Sequence, residues 1–211
     1  MHGEWTVPIK QYVQEVRRFM NCIGNMEFAV CQDYMCEPQI LAKTGLTVAE
    51  HQRRTLNNYR ELMQLAPEVP WAPVLQGFTI GEYWEHAMAY QKAGVELAKA
   101  PVVGCGTLCR RQNTTRANAL LATLQADGIR THAFGYKVRG LMMAHEHVQS
   151  ADSLAWSYNA RRHPPLPECR GEHDRCNNCI RWALRWRTKL LKALNIEEPP
   201  REEPPVQGTL F

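Results

Sequence analysis

The alternation of short apolar segments with amphipathic segments constrains the fold of this chain more than any other feature of its sequence. Apolar runs suited to buried strands lie at 26–31, 72–75, 102–103 and 131–134, and a shorter one ends at 152. Apolar residues at helical spacing predict helices at 7–23, 47–65, 80–92, 115–125 and 138–148. Strands that alternate with helices in this way predict an α/β fold with a parallel sheet and outer helices.

Polar or glycine-rich residues follow each predicted strand. They include Asp33, Gln76, Gly104, Gly106 and Asp152. In α/β barrels and open parallel sheets the active site lies at the carboxyl ends of the strands, so these residues predict one shared site. Each residue alone also has an ordinary explanation, because aspartate and glycine are common in turns. The glycine pair is not a nucleotide-binding fingerprint, since Cys109 stands where a third glycine is required.

Asp152 stands in the segment SADSLAWSYNARR, residues 150–162, which allows two interpretations. In the first, Asp152 is the N-cap of a helix that begins near Ser153, the commonest role of an aspartate before an apolar run. In the second, Asp152 ends a strand and presents its carboxylate at the mouth of a barrel. The other polar strand ends favour the second interpretation.

A cysteine cluster near the C-terminus predicts a metal site. The segment CRGEHDRCNNC supplies Cys169, His173, Cys176 and Cys179. These ligand types and the Cys-x-x-Cys spacing are typical of tetrahedral zinc, and four protein ligands make the Zn²⁺ structural rather than catalytic. His163 is an alternative fourth ligand, and the alternative to a metal site is a group of reduced thiols in a surface loop.

Composition sets looser limits on function. The 211 residues suffice for one sizeable core, and a net charge of +4 allows a nucleic-acid partner without requiring one. We find no apolar run long enough to span a membrane and no signal peptide. The eight cysteines lack a secreted context, so we expect a reducing, cytoplasmic location.

The sequence predicts three regions: a barrel domain at 1–163, a Cys/His zinc knuckle with a helix at 164–196, and a disordered tail at 197–211. The tail is rich in proline and glutamate before it ends in Gln207, Leu210 and Phe211. That ending resembles the peptide that bacterial replication proteins dock into the sliding clamp. A pull-down with the clamp, with and without residues 207–211, tests this hypothesis.

Six ordered sequence blocks carry a resemblance to a known family, and the resemblance runs from about Trp5 to Trp186. In order they are QDYMCEP, KTGLTVAEHQRRT, PVLQG, VGCGTLCRRQ, HAFGYK and SADSLAWSYNARR. With them the chain resembles the tRNA-guanine transglycosylase superfamily, and more closely its DNA-modifying branch, the deoxypurine-in-DNA protein A family of phages and bacteria. The resemblance implies a (β/α)8 TIM-barrel fold with a C-terminal zinc-binding subdomain. The implied activity exchanges guanine in a nucleic acid for a 7-deazaguanine base.

The resemblance also implies roles for individual residues. Asp152 matches the nucleophile that attacks C1′ and forms a covalent aspartyl-ribosyl intermediate. Asp33 matches the carboxylate that accepts hydrogen bonds from guanine N1–H and the amino group, and Gln76 matches the side chain at the carbonyl edge of the base. Gly104 and Gly106 match a loop whose backbone N–H lies against the base. Cysteines 169, 176 and 179 resemble the zinc cysteines, with His173 as the fourth ligand.

Four arginines just past strand ends are candidates for holding flanking phosphates: Arg110, Arg111, Arg161 and Arg162. Their alternative role is to pair with surface carboxylates. Relatives carry a further aspartate-containing block on an earlier strand, and only five strand–helix units are recognisable here. We therefore expect a barrel that is incomplete at its N-terminus. The activities left open are transglycosylation of DNA, the same reaction on tRNA, nucleoside hydrolysis, and nucleic-acid binding by a non-catalytic barrel fragment.

Overall fold

The structure is a computed structural model that describes residues 5–109 and 114–197. It divides into two compact units, Met1–Ser153 and Leu154–Phe211, which we call the N-terminal and C-terminal units. The N-terminal unit contains the parallel strands and most of the helices. The C-terminal unit is helical and contains the cysteine cluster. Within the described residues, no helix combines the length and apolar character needed to cross a membrane.

Six short strands form two parallel sheets in the N-terminal unit. They are β1 (Ala29–Val30), β2 (Trp71–Ala72), β3 (Val74–Leu75), β4 (Val103–Cys105), β5 (Thr131–Ala133) and β6 (Ser150–Ala151). Strands β1 and β2 pair with each other, and β3 to β6 form a four-stranded sheet in chain order. Pro73, which has no N–H to donate to a ladder, divides the predicted strand at 72–75 into β2 and β3.

Over the described residues, six α-helices lie in the N-terminal unit and two in the C-terminal unit. The bounds are α1 (Ile9–Ile23), α2 (Pro38–Thr44), α3 (Val48–Leu65), α4 (Ile80–Lys92), α5 (Thr115–Ala126), α6 (Val138–Ala144), α7 (Ala155–Ala160) and α8 (Ile180–Ala193). Thr47 caps α3 as predicted, because its hydroxyl accepts from the backbone N–H of Glu50 at 3.1 Å. Helix α2 was not predicted.

The predicted α/β fold with parallel strands is confirmed. Within each sheet, strands that follow each other in the chain pair in parallel, and a helix lies between the two strands of each pair. Among residues 5–109 and 114–197, the six strands form two separate sheets, and a complete eight-stranded barrel is not seen.

The core of the N-terminal unit lies between the strands and the inner faces of the helices. Its buried side chains include Val13, Val16, Leu62, Leu75, Tyr83, Tyr90, Leu121, Leu124 and Ala133. The hydroxyl of Tyr90 contacts both the N–H and the carbonyl oxygen of Val74, so helix α4 also helps to fix the start of β3. This packing holds the carboxyl ends of β3, β4 and β5 beside one another.

Candidate active site

Two clusters of polar side chains lie at the carboxyl ends of the strands, and the first is built on Gln76. This residue follows β3 and is fully buried. Its amide nitrogen Nε2 donates a short hydrogen bond to Oδ2 of Asp33, which follows β1. Its amide oxygen Oε1 accepts from the hydroxyl of Thr107, after β4, at 2.6 Å. The structure therefore brings together residues that lie more than thirty positions apart in the chain.

The backbone of Gln76 is fixed by side chains from two helices. Its N–H donates to Nδ1 of His86 at 3.0 Å, and its carbonyl oxygen accepts from Nε2 of Gln52 at 2.7 Å. His86 is fully buried, and burial lowers the pKa of its imidazole to about 4. The ring is thus neutral at physiological pH, which leaves Nδ1 free to accept this bond.

Gly104 and Gly106 make room for larger side chains. A Cβ on Gly106 would lie 2.0 Å from Nε2 of Gln76, and one on Gly104 would lie 2.6 Å from Cζ of Phe134. Their N–H groups donate within the sheet, to the carbonyl oxygens of Pro73 and Leu75. Both donors are therefore bonded inside the protein, and the contact with the base that the resemblance implies for this loop stays a prediction. The glycines shape the site by leaving space.

Asp33 is the partly buried carboxylate of this first cluster. Burial raises its pKa from 3.8 to about 6, and the hydrogen bond from Gln76 opposes that rise. Its backbone oxygen accepts from Nε1 of Trp5 at 3.1 Å. A cleft of about 380 Å³ borders its chain neighbours Gln32 and Tyr34. Asp33 does not itself line this cleft, and its carboxylate changes charge close to neutral pH.

The second cluster is built on Asp152, which directly follows β6. Its Oδ1 accepts from the backbone N–H of Gly135 at 2.9 Å and lies 3.3 Å from Nε2 of His132. The side chain is 57% exposed. The hydrogen bond with His132, together with the Gly135 N–H, holds the pKa of Asp152 below its ordinary value of 3.8. The structure thus presents an ionised and accessible carboxylate at a strand end.

The interpretation of Asp152 as a helix cap is wrong. Helix α7 begins at Ala155, and its N-cap is Leu154, whose side chain makes no capping hydrogen bond. The Asp152 carboxylate accepts from the backbone N–H of Gly135 at the neighbouring strand end.

His132 was missed by the sequence analysis. It is the central residue of β5, and its Nδ1 lies 2.8 Å from the hydroxyl of Ser150. Its ring packs edgewise against Phe28 and Phe134, with centroids 5.3 and 5.2 Å away. A carboxylate only accepts, so Nε2 donates to Asp152 and Nδ1 accepts from Ser150. The sequence did contain a signal for this residue, because His132 is a polar side chain within the apolar segment 131–134.

The four predicted phosphate-binding arginines divide into two pairs. Arg110 and Arg111 lie outside the described residues. In the C-terminal unit, the carbonyl oxygen of Arg161 accepts from the guanidinium of Arg175 at 2.9 Å. The guanidinium of Arg162 lies 4.0 Å from the ring centroid of Tyr158. The proposed clamp-binding residues Gln207, Leu210 and Phe211 also lie outside the described part of the chain.

The C-terminal unit contains the predicted metal-binding group. The ligand atoms of Cys169, His173, Cys176 and Cys179 all lie within 4.8 Å of one another. Sγ of Cys169 lies 3.8 Å from Sγ of Cys179. Tetrahedral zinc with Zn–S bonds of about 2.3 Å separates two sulfur ligands by about 3.8 Å. The donor set and its spacing are therefore compatible with a structural zinc ion.

The start of α8 supports Cys179 as a thiolate ligand, whereas burial and the two neighbouring cysteines raise the pKa of the Cys169 thiol against the effect of Arg181. Cys179 precedes α8, and backbone N–H groups at the start of that helix, first that of Trp182, lower the pKa of its thiol. The guanidinium of Arg181 contacts Sγ of Cys169 at 3.4 Å. His163, the alternative fourth ligand, instead places Nδ1 2.9 Å from the carbonyl oxygen of Asn159.

Comparison with known proteins gives one family. A family model described as DpdA, DeoxyPurine in DNA protein A, matches residues 1–202. A search of curated proteins found no significant match. The matched region includes both polar clusters and the metal-binding group.

Proposed function

This chain belongs to the DpdA family, deoxypurine in DNA protein A, and we propose that it exchanges guanine in DNA for a 7-deazaguanine base. The observation that carries this proposal is Asp152, an ionised and exposed carboxylate held by His132 and the Gly135 N–H at a strand end. An enzyme that displaces a base from deoxyribose needs such a nucleophile within reach of C1′.

The proposed reaction has two displacements. A carboxylate oxygen of Asp152 bonds to C1′ while the C1′–N9 bond breaks, and guanine leaves with that electron pair and takes up a proton at N9. The incoming 7-deazaguanine then loses its N9 proton and attacks C1′, which frees Asp152. Two displacements retain the configuration at C1′, as in retaining glycosidases. His132 stabilises the ionised form of Asp152 before the first displacement and after the second.

We propose that Asp33 recognises the guanine. Its ionised carboxylate accepts hydrogen bonds from N1–H and from the 2-amino group, a pair of donors that adenine does not offer. A base without those donors leaves a partly buried carboxylate unpaired, and this penalty gives sharp discrimination. The target nucleotide must be turned out of the duplex or presented in single-stranded DNA before it reaches these groups. Arg161 and Arg162, with Arg110 and Arg111, remain candidates for holding the flanking phosphates.

The proposal also includes a barrel-type fold and a structural zinc ion. The parallel strand order agrees with part of a (β/α)8-type barrel, in which sites lie at the carboxyl ends of the strands. The four ligands Cys169, His173, Cys176 and Cys179 would hold a structural Zn²⁺, which stabilises the C-terminal unit and takes no part in the reaction.

A labelled-guanine release assay tests the function. The protein is incubated with duplex DNA, single-stranded DNA or tRNA, each labelled in guanine, with and without a 7-deazaguanine base. We expect release from DNA that depends on the added base. Release without added base would instead identify a nucleoside hydrolase, and release from tRNA alone would identify a tRNA enzyme. A folded protein that retains DNA without releasing guanine would be a binding module.

The pKa of Asp33 predicts the pH dependence of guanine exchange. With a pKa of about 6, Asp33 loses its acceptors as the pH falls, so kcat/KM should drop about tenfold per pH unit below about 6. Asp152 stays ionised throughout that range, because its pKa lies below 3.8. The measurement is kcat/KM between about pH 5 and pH 8, and a flat profile would contradict the assignment.

Loss of folding does not explain such a profile. The folded-state pKa of Asp33 lies above its ordinary value of 3.8, so the native state binds more protons than the unfolded state between about pH 4 and pH 6. The contribution of Asp33 to stability is therefore largest at low pH and is lost as the pH rises through about 6. A thermal unfolding curve at each pH provides the control.

His132→Phe should slow guanine exchange by about 10- to 100-fold. Phenylalanine keeps an aromatic ring between Phe28 and Phe134 but removes the donor that lowers the pKa of Asp152. Ser150→Ala, which removes only the contact with Nδ1, is the matched control and should cause a smaller loss. Steady-state kinetics on DNA measure both variants, and an unchanged rate in His132→Phe would exclude this role.

A further inference from the structure

Thr107 has an unusual backbone conformation for its residue type. Its φ is +55°, in the left-handed region, and the other non-glycine residues described there are both asparagines, Asn25 and Asn195. A β-branched residue is strained in this region, whereas glycine or asparagine enters it more easily. Strain of this kind persists where surrounding contacts require the residue, and it is common at functional sites.

The contacts of the Thr107 hydroxyl explain why threonine is present. The residue is 4% exposed, and its Oγ1 accepts from the backbone N–H of Cys36 at 3.0 Å. One hydroxyl proton remains to be donated. The nearest acceptor is Oε1 of Gln76 at 2.6 Å, while Oε2 of Glu37 is more distant at 3.5 Å. The hydroxyl proton therefore goes to Gln76.

This bond determines which way the Gln76 amide points. With its oxygen toward the Thr107 hydroxyl, its NH₂ group faces Oδ2 of Asp33 and donates to it. The reversed amide would place its oxygen against the Asp33 carboxylate and leave that carboxylate without a donor. Gln76 is fully buried and each of its amide atoms is bonded within the protein, so its NH₂ group acts directly on Asp33.

We infer that Thr107 and Gln76 form a buried relay that holds Oδ2 of Asp33 and keeps Oδ1 turned toward the purine. Thr107 is thus a positioning residue for guanine recognition, and this inference rests on the proposed function of Asp33. The relay also stabilises the charged carboxylate, because the Gln76 donor supports the ionised form that guanine requires.

Two measurements on three variants test the relay. Thr107→Val keeps the shape of the side chain and removes the hydroxyl, Thr107→Ser keeps the hydroxyl, and Gln76→Leu removes the amide. The first measurement is the titration of the Asp33 carboxyl carbon by carbon-13 NMR, which requires neither substrate nor turnover. The second is the midpoint of the pH dependence of guanine exchange. Neither midpoint depends on the fraction of protein that is active.

We expect the Asp33 midpoint to rise by about half a pH unit in Thr107→Val and by about one unit in Gln76→Leu. Thr107→Ser should retain the wild-type midpoint. An unchanged midpoint in Thr107→Val, or equal rises in the valine and serine variants, would overturn the relay.

The same data separate the relay from the proposed function. Shifted titrations in a wild-type protein that exchanges no guanine would contradict the transglycosylase and leave the relay supported. Normal exchange with unshifted titrations would contradict the relay alone. Unshifted titrations without exchange would contradict both.

Discussion

Asp152→Asn is expected to lower guanine exchange on DNA by roughly a thousandfold or more. Asparagine has nearly the same size, and its carbonyl oxygen can still accept from the Gly135 N–H, so the local structure should be kept. The neutral amide, however, cannot form the ester-like bond to C1′ on which the proposed reaction depends. Steady-state exchange of labelled guanine measures the loss.

Asp127→Asn is the matched control for this substitution. Asp127 is exposed at the C-terminal end of α5, so its replacement removes the same charge away from the site and should leave the rate unchanged. Intact-mass analysis adds a direct test, since wild-type protein mixed with DNA but no incoming base should carry a covalent DNA adduct. An adduct on Asp152→Asn, or exchange within tenfold of wild type, would point to another nucleophile.

Removal of the metal should unfold the C-terminal unit. Among its described residues, the buried cluster consists of Ala160, Cys169 and Cys176, so two of these three residues are themselves predicted ligands. Structural zinc contributes an apparent binding free energy of about 10–16 kcal/mol, comparable to the whole stability of a small domain. Cys176→Ser, or a strong chelator, should therefore abolish zinc binding and the helical signal of α7 and α8.

Zinc content by mass spectrometry and circular dichroism before and after chelation measure this effect. Cys22→Ser is the matched control, because Cys22 is an exposed thiol on α1 outside the cluster. It should leave both the zinc content and the spectrum unchanged. A metal-free Cys176→Ser protein with the full helical signal would show that the four ligands do not hold the unit together.

The helices were predictable because their signals are local. The capping threonine before α3 and the regular apolar spacing of α4 place both helices where the structure has them. The start of α1 was placed two residues early, since Pro8 has an extended backbone and caps the helix that begins at Ile9. Helix α2 was missed because its seven residues bury no side chain and so lack an apolar pattern.

Most strands were located correctly but predicted too long, whereas β4 extends two residues beyond the predicted segment 102–103. An apolar run indicates burial, whereas the length of a strand depends on which neighbours supply hydrogen bonds, and that information is not local. The run at 26–31 pairs only through Ala29 and Val30, where β2 lies alongside. Pro73 likewise divides a run that hydropathy shows as continuous.

The difference between local and non-local information also explains which parts of the candidate site could be predicted. The strand-end positions of Asp33, Gln76 and Asp152 follow from chain order, because parallel strands present their carboxyl ends at one edge. The contacts of Thr107 and His132 depend on strand register and on one left-handed backbone angle. Neither of these can be derived from residue types at a given spacing.

The space above Gly106 also limits how this family can evolve. A side chain at that position would collide with the Gln76 amide, so a larger residue at 106 requires that glutamine 76 either move from its present position or be replaced. Loss of that glutamine removes the donor to Asp33. Positions 33, 76, 106 and 107 should therefore change together or stay fixed together, and a relative with a different set would select a different base.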